Sequence, residues 1–319
     1  MPNPGPEADS PCPPRQRFGG LFQNPLVAIG GTLLGLLLLV ALAAPLLVSS
    51  GILQNPIQQF PDGLDPDGMP LRAGGRFLLG TDNLGRDVLS RVILGTRVSL
   101  TVGVAAMLTA TLIGVAVGVL AGFRGGRTDL LLMRFTDMNM TLPAILLAVA
   151  FAGVMDGTPH HLHPASLPWH WLDLRLSRGM LSLCIIIGLV CWPGMVRVIR
   201  AEVLTVKERE FVMASRALGA SDLHLVFRHI LPNILPTTLV VAVMLTANTI
   251  LLEAGLGYLG IGVPPPAPTW GSMVNDGQPY FITAPHMVIA PGVAIVVTVL
   301  AFNLLGQGLQ EVLNPKSRK

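Results

Sequence analysis

The side chains best suited to bind a metal ion are four histidines in one stretch of the chain. His160, His161, His163 and His170 lie between residues 156 and 173. Imidazole nitrogens are good ligands for nickel, zinc and copper, so a metal site is one interpretation of this stretch. Histidine is also a common neutral residue of loops, and we favour that simpler interpretation. The four residues are therefore weak candidates, and we expect no metal site.

The chain lacks the residues that would bind and hydrolyse a nucleotide. A phosphate-binding loop places a lysine directly after a glycine, in the pattern G-x-x-x-x-G-K-[ST]. The only lysines are Lys207, Lys316 and Lys319, and none follows a glycine. The stretch GLGYLG, residues 255–260, has the spacing of a dinucleotide fingerprint, but an apolar run precedes it where that fingerprint requires a strand. We expect no catalytic residue and no cofactor in this chain.

The composition is that of a membrane protein. Hydrophobic residues make up 51% of the 319, charged residues only 12%, and the mean hydropathy is +0.62. Soluble domains have about 25% charged residues. Stretches long enough to cross a bilayer predict an all-α, polytopic fold with six transmembrane helices. They are Leu26–Val48, Val98–Gly122, Met138–Met155, Met180–Val196, Ile234–Leu252 and Met287–Leu305.

The distribution of Lys and Arg predicts which side each loop occupies. With six spans both termini lie on one side, and that side holds 14 of the 21 basic residues. Basic residues accumulate in cytoplasmic loops, so both termini are expected in the cytoplasm. The net charge of +3 is accounted for by this asymmetry, and no nucleic-acid partner is needed to explain it.

Two segments outside the spans have helical patterns. In the outer loop, Asp87 can cap a helix whose apolar residues, Val88 and Val92 among them, lie opposite Arg86, Ser90 and Arg91. This pattern predicts an interfacial helix leading into the second span.

The second segment is Phe211–Pro232, on the cytoplasmic side. Gly219 suits the position after a helix end, Ser221 is a good N-cap, and Asp222 is favourable in a first turn. Two short helices that meet at an angle are predicted. Their chemistry leaves two interpretations open: a solvated loop, or an element that docks into the cleft of a partner.

The sequence of that segment resembles the coupling loop of ABC-importer permeases. In ASRALGASDLHLVFRHILP the residues Ala214, Ser215 and Gly219, followed by Leu231 and Pro232, have the family's spacing. Two positions differ. Met213 stands where the family pattern has Glu, and His229 stands where it has Ile.

The resemblance extends over most of the chain. It includes LLGTDNLGRDVLSRVILGTRVSLTVG, LMRFTDMNMTLPAILLA, ILLEAGLGYLGIGVPPPAPTWGSM and LAFNLLGQGLQEVLNPK. These stretches are similar to the dipeptide, oligopeptide and nickel permeases, in the subunit type with an extra N-terminal anchor span. The resemblance implies the fold of a type I ABC importer permease in the bacterial inner membrane.

The resemblance also implies a function and a set of partners. The partners are a second permease that forms a heterodimer, two cytoplasmic ATPases that hold ATP and Mg, an external substrate-binding protein, and membrane lipid. We expect di- or oligopeptides as the ligand, with nickel or a metal chelate as the alternative. A secondary transporter is a more remote possibility. The residues implied to couple to the ATPases are Met213, Ala214, Ser215, Arg216, Gly219, Ala220, Asp222, Leu231 and Pro232.

Three further polar residues are candidates for the gate or the substrate pathway. They are Asp137, Asn248 and Glu253, which lie in or beside predicted spans. A carboxylate at the depth of Glu253 is costly unless it is hydrated or paired. We therefore expect Glu253 to hold the outer gate through hydrogen bonds to backbone amides in the stretch 255–260.

The predicted domain organisation follows from the spans. Residues 1–24 form a cytoplasmic, proline-rich tail, and residues 25–97 contain the anchor span and an outer loop with its interfacial helix. Residues 98–310 form a five-helix permease core that includes the cytoplasmic coupling segment, defined as residues 205–232. Residues 311–319 form a cytoplasmic C-terminal tail.

Overall fold

The computed structural model describes residues 23–156 and 178–313, and almost all regular structure in these ranges is helical. Five helices are long and apolar enough to cross a membrane, and the count reaches the predicted six if a bent helix pair is taken as one span. The helices are α1 (Pro25–Ser49), α2 (Val88–Arg124), α3 (Gly126–Thr141), α4 (Ala144–Asp156), α5 (Arg178–Lys207), α6 (Glu210–Ala217), α7 (Asp222–His224), a π-helical turn (Leu225–Ile230), α8 (Leu231–Tyr258), α9 (Trp270–Gly277) and α10 (His286–Leu313).

The third predicted span is not one continuous helix. The helices α3 and α4 are joined by Leu142 and Pro143 and are bent by 92° with respect to each other. Proline disfavours helical backbone at the residue before it, and Leu142 has extended dihedral angles. The span predicted over Met138–Met155 therefore contains a break, because Pro143 ends α3 inside that stretch.

The helix α2 is longer than its predicted span and contains no proline. It begins directly after Asp87, whose carboxylate accepts a hydrogen bond from the backbone N–H of Ser90 at 2.9 Å. The predicted interfacial helix is thus the first part of α2, and the predicted boundary at residues 97 and 98 falls inside this helix. Ser90 and Arg91, which lie opposite the apolar residues of the predicted interfacial helix, are buried in the structure, as is Val88.

A ladder of glycines brings α2 and α5 into close contact. Gly114, Gly118 and Gly122 lie on one face of α2, where a Cβ atom would come within 2.5 to 2.9 Å of Met195, Ile199 and Val203, respectively. Small residues four positions apart allow two helix backbones to approach closely in a membrane. The glycines therefore fix the separation of these two helices.

The remaining long helices bring the two ends of the described chain together. The side chain of Asn24, before α1, donates a hydrogen bond to the carboxylate of Glu311 in α10 at 2.8 Å. Gly308 of α10 also contacts Val27 of α1. At the other end of α10, the imidazole of His286 lies 3.0 Å from the backbone oxygen of Thr81 in the loop between α1 and α2. The bundle therefore has two distinct ends, with the coupling segment at one and this loop at the other.

Candidate functional site

The coupling segment contains a sharp turn at Gly219. Gly219 has a φ of +87°, in the left-handed region where side chains are strained. Its N–H donates to the oxygen of Arg216 at 3.0 Å, and the N–H of Ala220 donates to the oxygen of Ser215 at 3.1 Å. This pair of bonds is the Schellman motif, which satisfies the last carbonyl groups of a helix. The prediction that Gly219 follows a helix end is confirmed.

The chain becomes helical again directly after this turn. The side chain of Ser221 accepts from the N–H of His224 at 3.4 Å, as predicted for an N-cap. However, α7 continues through the π-helical turn into α8 without a break. The prediction of a second short helix is therefore wrong. The π-helical turn ends two residues before Pro232, whose ring would clash with a carbonyl in a regular α-helix.

Apolar side chains fix the inner face of the coupling segment to the bundle. Val212, Leu225 and Ile230 are almost completely buried. They belong to one apolar cluster with Val203 of α5 and Ile234 of α8. Burial of side chains of this size stabilises a fold by about 1.5 to 3 kcal/mol each. The coupling segment is consequently part of the folded core and is not a free loop.

The same segment also carries large apolar side chains that are exposed. Leu218 is 89% exposed and Leu223 is 71% exposed, on opposite sides of Gly219. Phe211, Met213 and Phe227 lie on the same segment and are also exposed. Several large apolar side chains exposed on one short segment are candidates for contact with a protein or a membrane. We call these five side chains the docking face.

The other residues predicted to couple to an ATPase differ in exposure. Arg216 and Asp222 are exposed, as are Ala214 and Pro232, whereas Ser215, Ala220 and Leu231 are half-buried. The guanidinium of Arg216 lies 5.7 Å from the centre of the Phe123 ring, at the end of α2. The ammonium of Lys207 donates to the backbone oxygen of Phe123 at 2.7 Å. Two cations therefore lie at the negative end of the α2 dipole, which is a favourable position for them.

Asp137, a predicted pathway residue, forms an ion pair that the sequence analysis missed. Its carboxylate accepts a hydrogen bond from Arg197 of α5 at 2.6 Å, and both side chains are about half exposed. An ion pair on the open face of a membrane helix bundle is costly in lipid, which indicates that water or protein covers it in the assembly. The only signal in the sequence was an arginine that directly follows the fourth apolar stretch.

The other two pathway candidates lie on α8 but differ in exposure. Asn248 is exposed, whereas Glu253 is completely buried. Neither carboxylate oxygen of Glu253 makes a hydrogen bond of standard geometry within the described ranges, and its polar neighbours are the hydroxyls of Ser99 and Thr269. The prediction that it bonds to backbone amides of residues 255–260 is wrong, because its side chain points into the bundle towards α2. The structure does not bring Asp137, Asn248 and Glu253 together.

A cluster of charges occupies the opposite end of the bundle. Arg86 donates to the carboxylate of Asp82 at 2.7 Å, and the Nε atom of Arg91 lies 3.3 Å from the same carboxylate. Asp276 of α9 lies 3.7 Å from Arg86 and 3.6 Å from Arg91. Burial raises the pKa of Asp276, and the two arginines oppose that rise. The cluster links the loop before α2 to α9.

The histidine stretch lies outside the described residues, so the structure does not place His160, His161, His163 or His170. Within residues 23–156 and 178–313, no three His, Cys, Asp or Glu side chains are grouped so that they could hold a metal ion.

Comparison with known proteins assigns the chain to a group. A family model described as "Binding-protein-dependent transport system inner membrane component" matches residues 114–319. A di/tripeptide transport system permease protein of Pseudomonas aeruginosa is 38% identical over 305 residues, which cover 95% of this chain and 92% of that protein. An oligopeptide transport system permease protein of Bacillus subtilis is 34% identical over 296 residues, covering 93% and 87%, respectively. A glutathione transport system permease protein of Pectobacterium atrosepticum is 37% identical over 238 residues, covering 75% and 72%.

Proposed function

The chain belongs to the family of binding-protein-dependent transport system inner membrane components, and on this premise we propose that it forms half of the membrane pathway of an ATP-driven peptide importer. A second permease would supply the other half. Two cytoplasmic ATPases would hold ATP and Mg, and an external binding protein would deliver the ligand. Both termini and the coupling segment would then lie in the cytoplasm.

Di- or oligopeptides are the ligands that the relatives support best. The three relatives described above are named for di/tripeptides, oligopeptides and glutathione, which is itself a peptide. These names favour the peptide interpretation over nickel, and nothing in the described residues favours a metal ligand.

The observation that carries the coupling role is the docking face. A solvated loop would turn mainly polar side chains outward, whereas this segment exposes Leu218 and Leu223 beside its polar residues, while Val212 and Leu225 hold it to the bundle. Burial of exposed leucines and phenylalanines in a partner's groove stabilises a complex by roughly 25 cal/mol for each Å² of apolar surface removed from water. The docking face is therefore the part of this chain on which we expect an ATPase to bind.

Co-purification with the ATPases tests this assignment. We expect Leu218→Asp, and more strongly its combination with Leu223→Asp, to lower ATPase retention on the affinity-purified permease by about tenfold, which corresponds to about 1.4 kcal/mol. The matched control is Leu78→Asp, because Leu78 is similarly exposed but lies in the loop before α2. Retention that is unchanged by both docking-face substitutions would contradict the coupling role. ATP-dependent and binding-protein-dependent uptake of a labelled dipeptide by the reconstituted complex tests the transport function itself.

A further inference from the structure

A cavity of about 540 Å³ adjoins the charge cluster at the end of the bundle that is opposite the coupling segment. It lies between the first turns of α5, the helix α9 and the loop that joins α8 to α9, and Arg86, Arg91 and Asp276 line it. Small-molecule sites have volumes of roughly 300 to 1,000 Å³, and they combine apolar walls with a few polar groups. The cavity has both properties.

Arg91 has hydrogen-bond donors to spare. Its side chain is 4% exposed, yet the only hydrogen bond that it donates within the described ranges goes to the backbone oxygen of Pro56, at 3.4 Å. Its Nε atom has no hydrogen-bond partner of standard geometry, although Asp82 is near. A guanidinium carries five N–H donors in a planar fork that fits the two oxygens of a carboxylate. A buried guanidinium with unused donors in a cavity wall indicates an anionic ligand.

The carboxylate of Asp276 can bind a cationic group of a ligand. Its distances of 3.6 and 3.7 Å from the arginines exceed those of hydrogen bonds, and its side chain is 36% exposed. With Asp82, the cluster contains two acidic and two basic groups and has no net charge. A ligand with one carboxylate and one ammonium group would match it without leaving a charge unpaired.

Much of the rest of the wall is apolar, and its other polar side chains are Ser182, Ser272 and Asn275. Pro264, Pro265 and Pro266 line the cavity and have no backbone N–H to donate, and Leu183 and Ile186 add apolar surface. Such walls accept side chains of different shapes without a specific hydrogen bond.

From these observations we propose that the cavity is a subsite on the permease for the transported peptide, in which Arg86 and Arg91 bind its terminal carboxylate and Asp276 binds its terminal ammonium. This proposal rests on the proposed function. It adds a point of selection that depends on the ends of a short peptide and is independent of the peptide's side chains.

Protection of an introduced cysteine from a thiol reagent tests whether the cavity binds a peptide, without a measurement of transport. Asn275, which lines the cavity, is replaced with Cys in the complete complex without its binding protein. The rate at which a membrane-impermeant thiol reagent labels this cysteine is measured by mass spectrometry, with the dipeptide Ala-Ala, its C-terminal amide or its N-acetyl form present. Ile282→Cys is the matched control, because Ile282 is 93% exposed and lies outside the cavity.

We expect Ala-Ala to slow labelling at position 275 and not at position 282, and we expect the two blocked peptides to need about tenfold higher concentrations, as for a lost charge-assisted bond. Arg86→Gln should abolish the preference for Ala-Ala over its amide, and Asp276→Asn should abolish the preference over the N-acetyl form.

Equal protection by all three peptides, or by none, with ATP-dependent uptake intact, would overturn the subsite and leave the proposed function standing. Absence of ATP-dependent uptake in the unmodified complex would instead overturn the proposed function.

Discussion

At the end of the bundle where α5 meets α8, Leu218 and Leu223 extend into solvent, while at the end where α2 begins, Asp82 and Arg91 are buried together. The first end exposes apolar surface and keeps its charges on the rim. At the second end the charged side chains are mostly buried. Asp82 forms ion pairs with Arg86 and Arg91 there.

This difference indicates what each end needs from other molecules. Exposure of apolar side chains to water is unfavourable, and burial against a partner removes this cost. The coupling segment therefore gains stability when a partner covers it. At the second end the charge of Asp82 is compensated within the chain, and the loss of one member of a buried ion-pair network leaves the others with uncompensated charge. Substitutions at the first end should therefore impair assembly and uptake, whereas substitution of the buried Asp82 should impair folding.

The substitution with the largest expected effect on uptake is Gly219→Val. Gly219 requires a positive φ, and a β-branched residue there is strained by about 1 to 3 kcal/mol, although a Cβ atom would meet no neighbour. The turn must then change shape, and the two halves of the docking face separate. We expect uptake in vesicles to be abolished and ATPase retention to fall, while pairing with the second permease persists.

Gly219→Ala is the matched control for this prediction, because alanine is not β-branched and the penalty is smaller, about 1 to 2 kcal/mol. It should retain part of the uptake. Full ATPase retention and full uptake by the valine variant would show that the coupling segment does not bind the ATPase. The exposed apolar side chains at this end of the bundle would then have no role in assembly.

At the other end, Asp82→Asn should have an intermediate effect, on stability. Asp82 pairs with Arg86 and Arg91, and it accepts backbone hydrogen bonds from Leu84 and Arg86. Breaking a buried pair costs about 3 to 5 kcal/mol, so we expect lower thermal stability of the purified permease. The matched control is Arg76→Gln, which breaks an exposed ion pair with Asp62 and should cost about 0 to 1 kcal/mol. Equal melting temperatures for the two variants would contradict the burial argument.

The smallest effect is expected from Arg216→Glu. Arg216 is an exposed rim residue of the coupling segment, and a rim charge affects mainly the rate of encounter and its dependence on salt. We expect uptake to fall by about two- to threefold at low salt and by less at 0.5 M salt, where exposed charges are screened. Arg216→Met keeps a long, unbranched side chain without a charge and separates the loss of charge from its reversal. A complete loss of uptake at both salt concentrations would mean that Arg216 lies inside the interface and not on its rim.

The sequence predicted the features that depend on local chemistry. Gly219 follows the end of α6 with a positive φ, and Asp87 and Ser221 cap their helices. Each of these follows from the residue itself and its near neighbours. The bend at Pro143 was accessible by the same reasoning, since proline restricts the residue before it, but the uniform hydrophobicity of Met138–Met155 outweighed that signal.

Features that depend on distant contacts were not predicted. The helical pattern around Ser90 and Arg91 is typical of an exposed face. The sequence does not show that Asp276 of α9 lies beside Arg91 in the folded protein. The ion pair between Asp137 and Arg197 joins residues 60 positions apart. For Glu253, the expected bonds to nearby backbone amides did not form, because the side chain lies against α2 and the segment before α9 instead.

The absence of proline from α2 has a mechanical consequence. The helices α1, α5, α8 and α10 each contain an interior proline, a residue at which helices bend, whereas α2 runs for 37 residues without one. At 1.5 Å per residue its length is about 55 Å, which is more than the thickness of a bilayer. One end of this helix carries Arg91, and the other carries Phe123 beneath the coupling segment. We expect α2 to act as the stiff member of the bundle, so that a tilt imposed at Phe123 displaces Arg91 in the opposite direction while the four other helices flex around it.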